Sequence, residues 1–332
     1  MNRLGLFLSK FIRTESSGGV ALVIACAIAL IFANSPLRDS YESLFSPFHN
    51  FINEGLMAIF FFLVGLEIKR EFAEGDFKNP KNAALPVFAA LGGMALPALI
   101  FATLNSSGIA SSAWAVAMPT DIALALGALA LLGSRIDSSL KIFLLTLAIA
   151  DDLFSIIILG IFYSSGISAI KIASTIGAVL LALALPSGKK ITTTRLIHWI
   201  HPYSAFIIIP LFALANIGVY VDISTLKETI TSPIASGLIF GRVIGKIVGI
   251  TLFAWLAVQL KFAIKPASLN FKEIAGAGAL AGMGLTVSLF IADLALTSAQ
   301  DLAQVKVGLI VAALISTLLG LTILRKYSVK ND

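Results

Sequence analysis

Apolar residues in this chain fall in long, nearly unbroken runs joined by short polar connections. Ten such runs lie at about 18–34, 51–68, 83–104, 113–132, 142–163, 169–186, 204–221, 233–260, 274–295 and 305–324. A helix needs about 20 largely apolar residues to cross a bilayer, and in hydrocarbon only helices and closed barrels satisfy their own backbone. Runs of this length, without alternation of apolar and polar positions, argue against a barrel. They predict an all-α polytopic membrane protein of about ten transmembrane helices. The longest polar stretches, 35–50 and 187–203, leave no room for a soluble domain, so residues 1–332 are expected to form a single membrane domain.

Composition strengthens this picture. With 58% hydrophobic and 13% charged residues, a soluble fold would lack the polar material to cover its surface. The first run follows Glu15 without a small-residue cleavage site, so it is expected to remain as a helix. Cys26 is the single cysteine, which excludes a disulfide framework. The net charge of +6 would suit an anionic partner such as nucleic acid, but its distribution points elsewhere. With the N-terminus placed in the cytoplasm, 18 of the 24 basic residues fall on the inner side. Only Arg38, Lys171, Lys227 and Lys306 fall outside, and Arg242 and Lys246 lie within a span. This is the positive-inside asymmetry of a multi-pass protein with both termini cytoplasmic. Membrane lipid is the expected surroundings, with no nucleic acid partner and no cofactor.

Charges at the bilayer centre are expensive and mark pathways. Five ionisable groups sit near the middle of their runs: Asp121, Asp151, Asp152, Arg242 and Lys246. Asp151 and Asp152 are neighbours in LAIADDLFSIIILG and point about 100° apart on a helix, so one cavity wall can present both. Two carboxylates this close in low dielectric titrate as a pair and suit either protons or a hard cation. A structural salt bridge with Lys246 is the competing reading. Lys246, in GRVIGKIVGI, lies too deep to snorkel and needs an acid, with Asp151 or Asp152 as candidates. Arg242, one turn earlier, is expected to reach an edge or a second acid.

Two runs contain interruptions. In AVAMPTDIALALG, Pro119 disfavours helix at Met118, and Asp121 beside the break can offset a positive half-helix end. In GALAGMGLTVS, Gly282 and Gly284 fall in a cluster with Gly276 and Gly278, which suits either a break or close helix packing. His198 and His201 flank a basic loop without an acid or cysteine at ligand spacing, and are expected to be interfacial.

These segments, with ESSGGVALVIACAIALIFANS, MAIFFFLVGLEIKRE, KIFLLTLAIADDLFSIII and HPYSAFIIIPLFALANIGV, resemble stretches of the NhaA-type bacterial sodium/proton antiporters, in order along nearly the whole chain. The resemblance implies two inverted three-helix repeats, here about 83–165 and 233–324, whose two discontinuous helices cross at mid-membrane. It implies electrogenic exchange of Na+ or Li+ for H+ across the bacterial inner membrane by alternating access, in support of pH and sodium homeostasis. Asp152 would bind the cation transiently, with Asp151 as its partner carboxylate in salt bridge with Lys246. Thr120 would serve the ion site or the broken-helix geometry, and Asp121 would compensate the half-helix ends. Glu67, Lys69, Arg70 and Glu71 match a cytoplasmic funnel and pH-sensing entrance, against the plainer reading of a solvated helix end.

Three departures from the family pattern stand out. The family has twelve spans, and GISAIKIASTIGAVLLALALPSGKK begins like one family helix and ends like another two spans later, so two helices are missing. Where the family reads Arg-Leu-Glu-His, this chain reads Arg195-Leu196-Ile197-His198, without the acid associated with pH response. The loop between the first two helices lacks the strand-like hairpin that joins family dimers, which removes the usual dimer contact. The missing helices raise a transport-impaired relic as an alternative. An intramembrane aspartyl protease would need one Asp on each of two facing helices, whereas here both share one helix, so no enzyme is expected.

Overall fold

The computed structural model describes residues 3–107, 109–163, 169–186, 193–222 and 224–328. The polar stretch expected from 187 lies outside the described residues up to 192, with Lys189 and Lys190, as does Lys330. Every regular element among the described residues is helical.

The chain opens with α1 (Arg3–Ala33) and a short helix α2 (Arg38–Phe45). A π-helical turn, Phe51–Leu56, leads into α3 (Met57–Glu74), and α4 (Pro80–Leu104) follows. A 3-10 helix, Ile109–Ala117, and α5 (Ile122–Ala130) form the first bent pair, which changes direction by 42°. Next come α6 (Ser138–Phe162) and α7 (Ala169–Ala184). Helices α8 (Thr193–Tyr203) and α9 (Ile209–Asn216) join through a π turn, Ser204–Ile208, into one span. After α10 (Leu226–Thr231), α11 (Pro233–Phe240) and α12 (Lys246–Gln259) are joined the same way through Gly241–Gly245. The second bent pair, α13 (Phe271–Ala281) and α14 (Thr286–Ala295), turns by 51°, and α15 (Ala299–Tyr327) ends the fold.

Seven of these spans are long and apolar enough to cross a membrane, and the two bent pairs raise the number to nine. The sixth expected span, 169–186, corresponds to α7, whose 16 residues fall short of the about 20 a spanning helix needs. The fourth expected run, 113–132, differs in kind, because its first half is wound as 3-10 helix and the α-helix ends at Ala130.

Local sequence sets the helix starts. Asn79 accepts from the Lys81 amide ahead of α4, and Pro80 occupies a first-turn position where its missing N–H costs nothing. Asp137 caps α6 through the Ser139 amide at 2.7 Å, and Asn270 with Glu273 forms a reciprocal capping box on α13. In hydrocarbon there is little hydrophobic drive between helices, so close packing through small residues does the work. The most extensive pair, α4 and α12, meets at Gly92 and Gly249, where a Cβ on Gly249 would stand 2.1 Å from the Gly92 carbonyl oxygen. Large apolar side chains such as Ile31, Ile161, Leu314 and Leu318 cover the outside, as a lipid-facing surface requires.

Each bent pair lies between two long spans. The halves meet inside the bundle, α14 packing against the 3-10 helix and α13 against α5. Helix α6 lies alongside α4, which brings its aspartates to the same depth as the two breaks.

Candidate functional site

Proline at 119 and glycines at 282 and 284 leave both spans unwound at mid-depth, over Met118–Asp121 and Gly282–Leu285. Each break exposes unpaired amides at one half-helix start and unpaired carbonyls at the other's end. Asp121, in extended conformation, caps α5 by accepting from the Leu124 amide at 3.3 Å. Its other oxygen accepts from the Thr286 hydroxyl at 2.9 Å, at the start of α14. One carboxylate therefore serves the N-terminal ends of both half-helices, where the dipole favours negative charge.

Asp151 and Asp152 diverge as helix geometry requires. Asp151 is 1% exposed, and Lys246 donates to its Oδ2 at 3.3 Å and to the Thr120 hydroxyl at 2.9 Å. Asp152 opens instead on a cavity of about 30 Å³, large enough for a water or a bare small cation. Thr120, Asp121 and Thr286 line the same cavity at the helix breaks. Carboxylate and hydroxyl oxygens gathered in an otherwise apolar cavity are the donor type that hard cations favour.

Arg242 departs from expectation. Among the described residues it bonds no acid: its guanidinium donates to the carbonyls of Val116, Pro119 and Gly282 and to the Ser288 hydroxyl. The expected funnel quartet also divides. Only Glu67 lines the cavity, while Lys69 donates to the Leu183 and Leu185 carbonyls at the end of α7. Arg70 and Glu71 are buried as an ion pair, and Glu71 accepts from the Asp76 amide at 2.7 Å where the chain leaves α3. The plain reading of a solvated helix end holds for residues 72–74, which are exposed, but not for Arg70 and Glu71, which are buried.

His201 is buried rather than interfacial, and pairs with Glu15. Glu15 lines the cavity with Glu67, a placement sequence reasoning missed, because an acid at the head of an apolar run looks like an ordinary first-turn residue. Thr286 and Ser288 were missed too, since hydroxyls in an apolar helix carry no signal of their own. Among the described residues no group of three or more His, Cys, Asp or Glu side chains is placed to hold a resident metal ion.

The family model described as Na+/H+ antiporter 1 matches residues 9–176 and again 169–324. The two stretches overlap over 169–176, so one segment of this chain answers to two places in the family. The Na+/H+ antiporter NhaA of Shewanella baltica is 37% identical over 94% of the chain and 96% of that protein. NhaA of Vibrio cholerae serotype O1 is 37% identical over 96% of the chain and 97% of its own length. NhaA 2 of Pseudomonas syringae pv. syringae is 39% identical over 97% and 95%. The first of these alignments runs over 375 positions, more than the chain's 332 residues, so that relative carries a stretch that is missing here.

Proposed function

The chain belongs to the Na+/H+ antiporter 1 family of multi-pass membrane proteins, and from that membership we propose that it exchanges sodium, or lithium, for protons across the bacterial inner membrane. Relatives named as Na+/H+ antiporters and similar over at least 94% of the chain carry the reading. The arrangement around Asp152 agrees with it. A carboxylate facing a small cavity binds either a proton or a cation, and the two compete for one negative charge.

In the proposed cycle Asp152 loads a proton from one side, releases it as sodium enters on the other, and changes access between the two. Thr120 and Thr286 supply neutral oxygens near the same cavity, while Asp121 holds the half-helix starts that border it. Asp151, out of the cavity, pairs with Lys246. With two carboxylates at the site against one sodium, the exchange moves net charge. The moving part is the pair of inverted repeats, about 83–165 and 233–324, with the cavity at their crossing. Glu67 and Glu15 form the cytoplasmic approach. Both termini face the cytoplasm in this reading, which the excess of basic residues on that side supports.

The test is sodium-driven collapse of a pH gradient in everted vesicles that carry the chain. The wild type is expected to release protons on sodium addition, and Asp152→Asn to abolish the response. A silent wild type overturns the transport reading; an active Asp152→Asn overturns the site.

A further inference from the structure

Arg242 is 0% exposed in the middle of a membrane protein and, among the described residues, is the largest fully buried side chain. An arginine stays charged at any working pH, so burial demands partners that meet its five donors. Of the expected ends, an edge or a second acid, it takes neither and bonds oxygens from both breaks. Nη1 donates to the Val116 carbonyl at 3.1 Å and Nη2 to the Pro119 carbonyl at 2.6 Å, both at the C-terminal end of the first interrupted helix. Nε donates to the Gly282 carbonyl at 3.1 Å, at the end of α13, and Nη1 also to the Ser288 hydroxyl at 2.8 Å, in the first turn of α14.

These carbonyls are the ones a helix end leaves unpaired, and each end carries roughly half a negative charge. Two such ends meet at the crossing, where their like partial charges repel each other. One fixed guanidinium answers both. Lys246, the next cation along, bonds the Thr120 hydroxyl and Asp151 and touches none of the same carbonyls. The backbone has been shaped to this contact: a Cβ on Gly284 would stand 2.3 Å from Nη2 of Arg242 and 2.4 Å from the Pro119 oxygen. The π turn Gly241–Gly245, with Gly241 and Gly245 against Pro97, lets the backbone that bears Arg242 approach α4 closely.

We propose that Arg242 is the positioning residue of the cation site, a clamp that neutralises and ties together the C-terminal ends of both interrupted helices and so leaves Lys246 to serve Asp151 and Thr120. The clamp rests on the antiport reading only for its effect on sodium. It contacts no cavity oxygen directly; it sets where Thr120 and Asp121, one and two residues after Pro119, come to lie. The charged groups that act on it are Lys246 on α12, Asp151 on α6 and Asp121 at the head of α5.

The experiment compares wild type, Arg242→Lys, Arg242→Met and Asp152→Asn for sodium-driven proton release against sodium concentration and pH, with thermal melting in detergent measured in parallel. Arg242→Met is expected to raise the sodium KM about ten-fold, the scale of one lost charge-assisted hydrogen bond, and to move the active range to higher pH. Arg242→Lys keeps the charge but cannot span both ends. It is expected to hold the wild-type pH range with a KM raised about three-fold. Wild-type KM and pH range in Arg242→Met overturn the proposal, as does a lysine variant that matches methionine in both. If Arg242→Met does not accumulate, Ser288→Ala removes one acceptor with the arginine in place, and an unchanged KM there overturns it. If the wild type itself moves no sodium, the antiport reading fails instead. The clamp is then decided by melting, where Arg242→Met must fall below Asp152→Asn and equal melting refutes it.

Discussion

Removing Lys246 while leaving Asp151 isolates the cost of the buried ion pair. Nζ and Oδ2 lie 3.3 Å apart with both side chains 1% exposed, a gross attraction of about 5 kcal/mol at an effective dielectric of about 20. Asp151 Oδ1 has no hydrogen-bond partner, so in Lys246→Met neither oxygen keeps a donor among the described residues. Breaking such a pair from one side costs about 3–5 kcal/mol, because the remaining charge is stranded. Replacing both partners by apolar side chains of similar volume avoids the stranded charge and is often neutral. Asp151→Leu with Lys246→Met is therefore expected to lie within about 1–2 kcal/mol of wild type, the residue of the cost being the Thr120 hydroxyl left without its donor. The assay is reversible unfolding in mixed micelles for wild type, both single variants and the double. A coupling energy of at least about 2 kcal/mol is expected between the two sites. Additive losses would refute the reasoning, since they would mean that each side chain is held by something other than its partner.

Three smaller predictions follow from packing, capping and charge. Gly249→Ala should destabilise by about 1–3 kcal/mol or more, because its Cβ would stand 2.1 Å from the Gly92 carbonyl oxygen and two backbones would have to part. Gly177→Ala, where a Cβ meets nothing within 4 Å on α7, should instead hold or gain about 0.5–1 kcal/mol in the same unfolding assay. Asp137, outside the membrane spans, is held below its usual range by the Ser139 amide it caps. Its contribution is thus present at neutral pH and lost as pH falls below about 4, through its lowered folded-state pKa, so acid scans of unfolding should show a shallower loss in Asp137→Asn than in wild type.

Much of this protein is written in its linear pattern, because the bilayer imposes the rule. Hydrocarbon thickness fixes run length, and unsatisfied backbone is too costly to leave in lipid, so the spans follow from apolar runs. Pro119 forbids ordinary helix at the residue before it, so that break is legible as well. The overlap at 169–176 has a sequence trace too, a segment that starts as one family helix and ends as another. Other features depend on what stands opposite. The two aspartates are equivalent as letters, and only the rotation of α6 against α4 gives Asp152 the cavity and Asp151 the lysine. Arg242 reads as a stray charge in need of an acid until the two breaks converge and present their carbonyls. Glu71, Lys69 and His201 look like interfacial side chains until α7, the turn after α3 and α1 close over them. Sequence alone determined the class, the spans and the residues with chemistry to offer; the tertiary structure decided their partners, because partnership at mid-membrane is set by which backbones can approach one another.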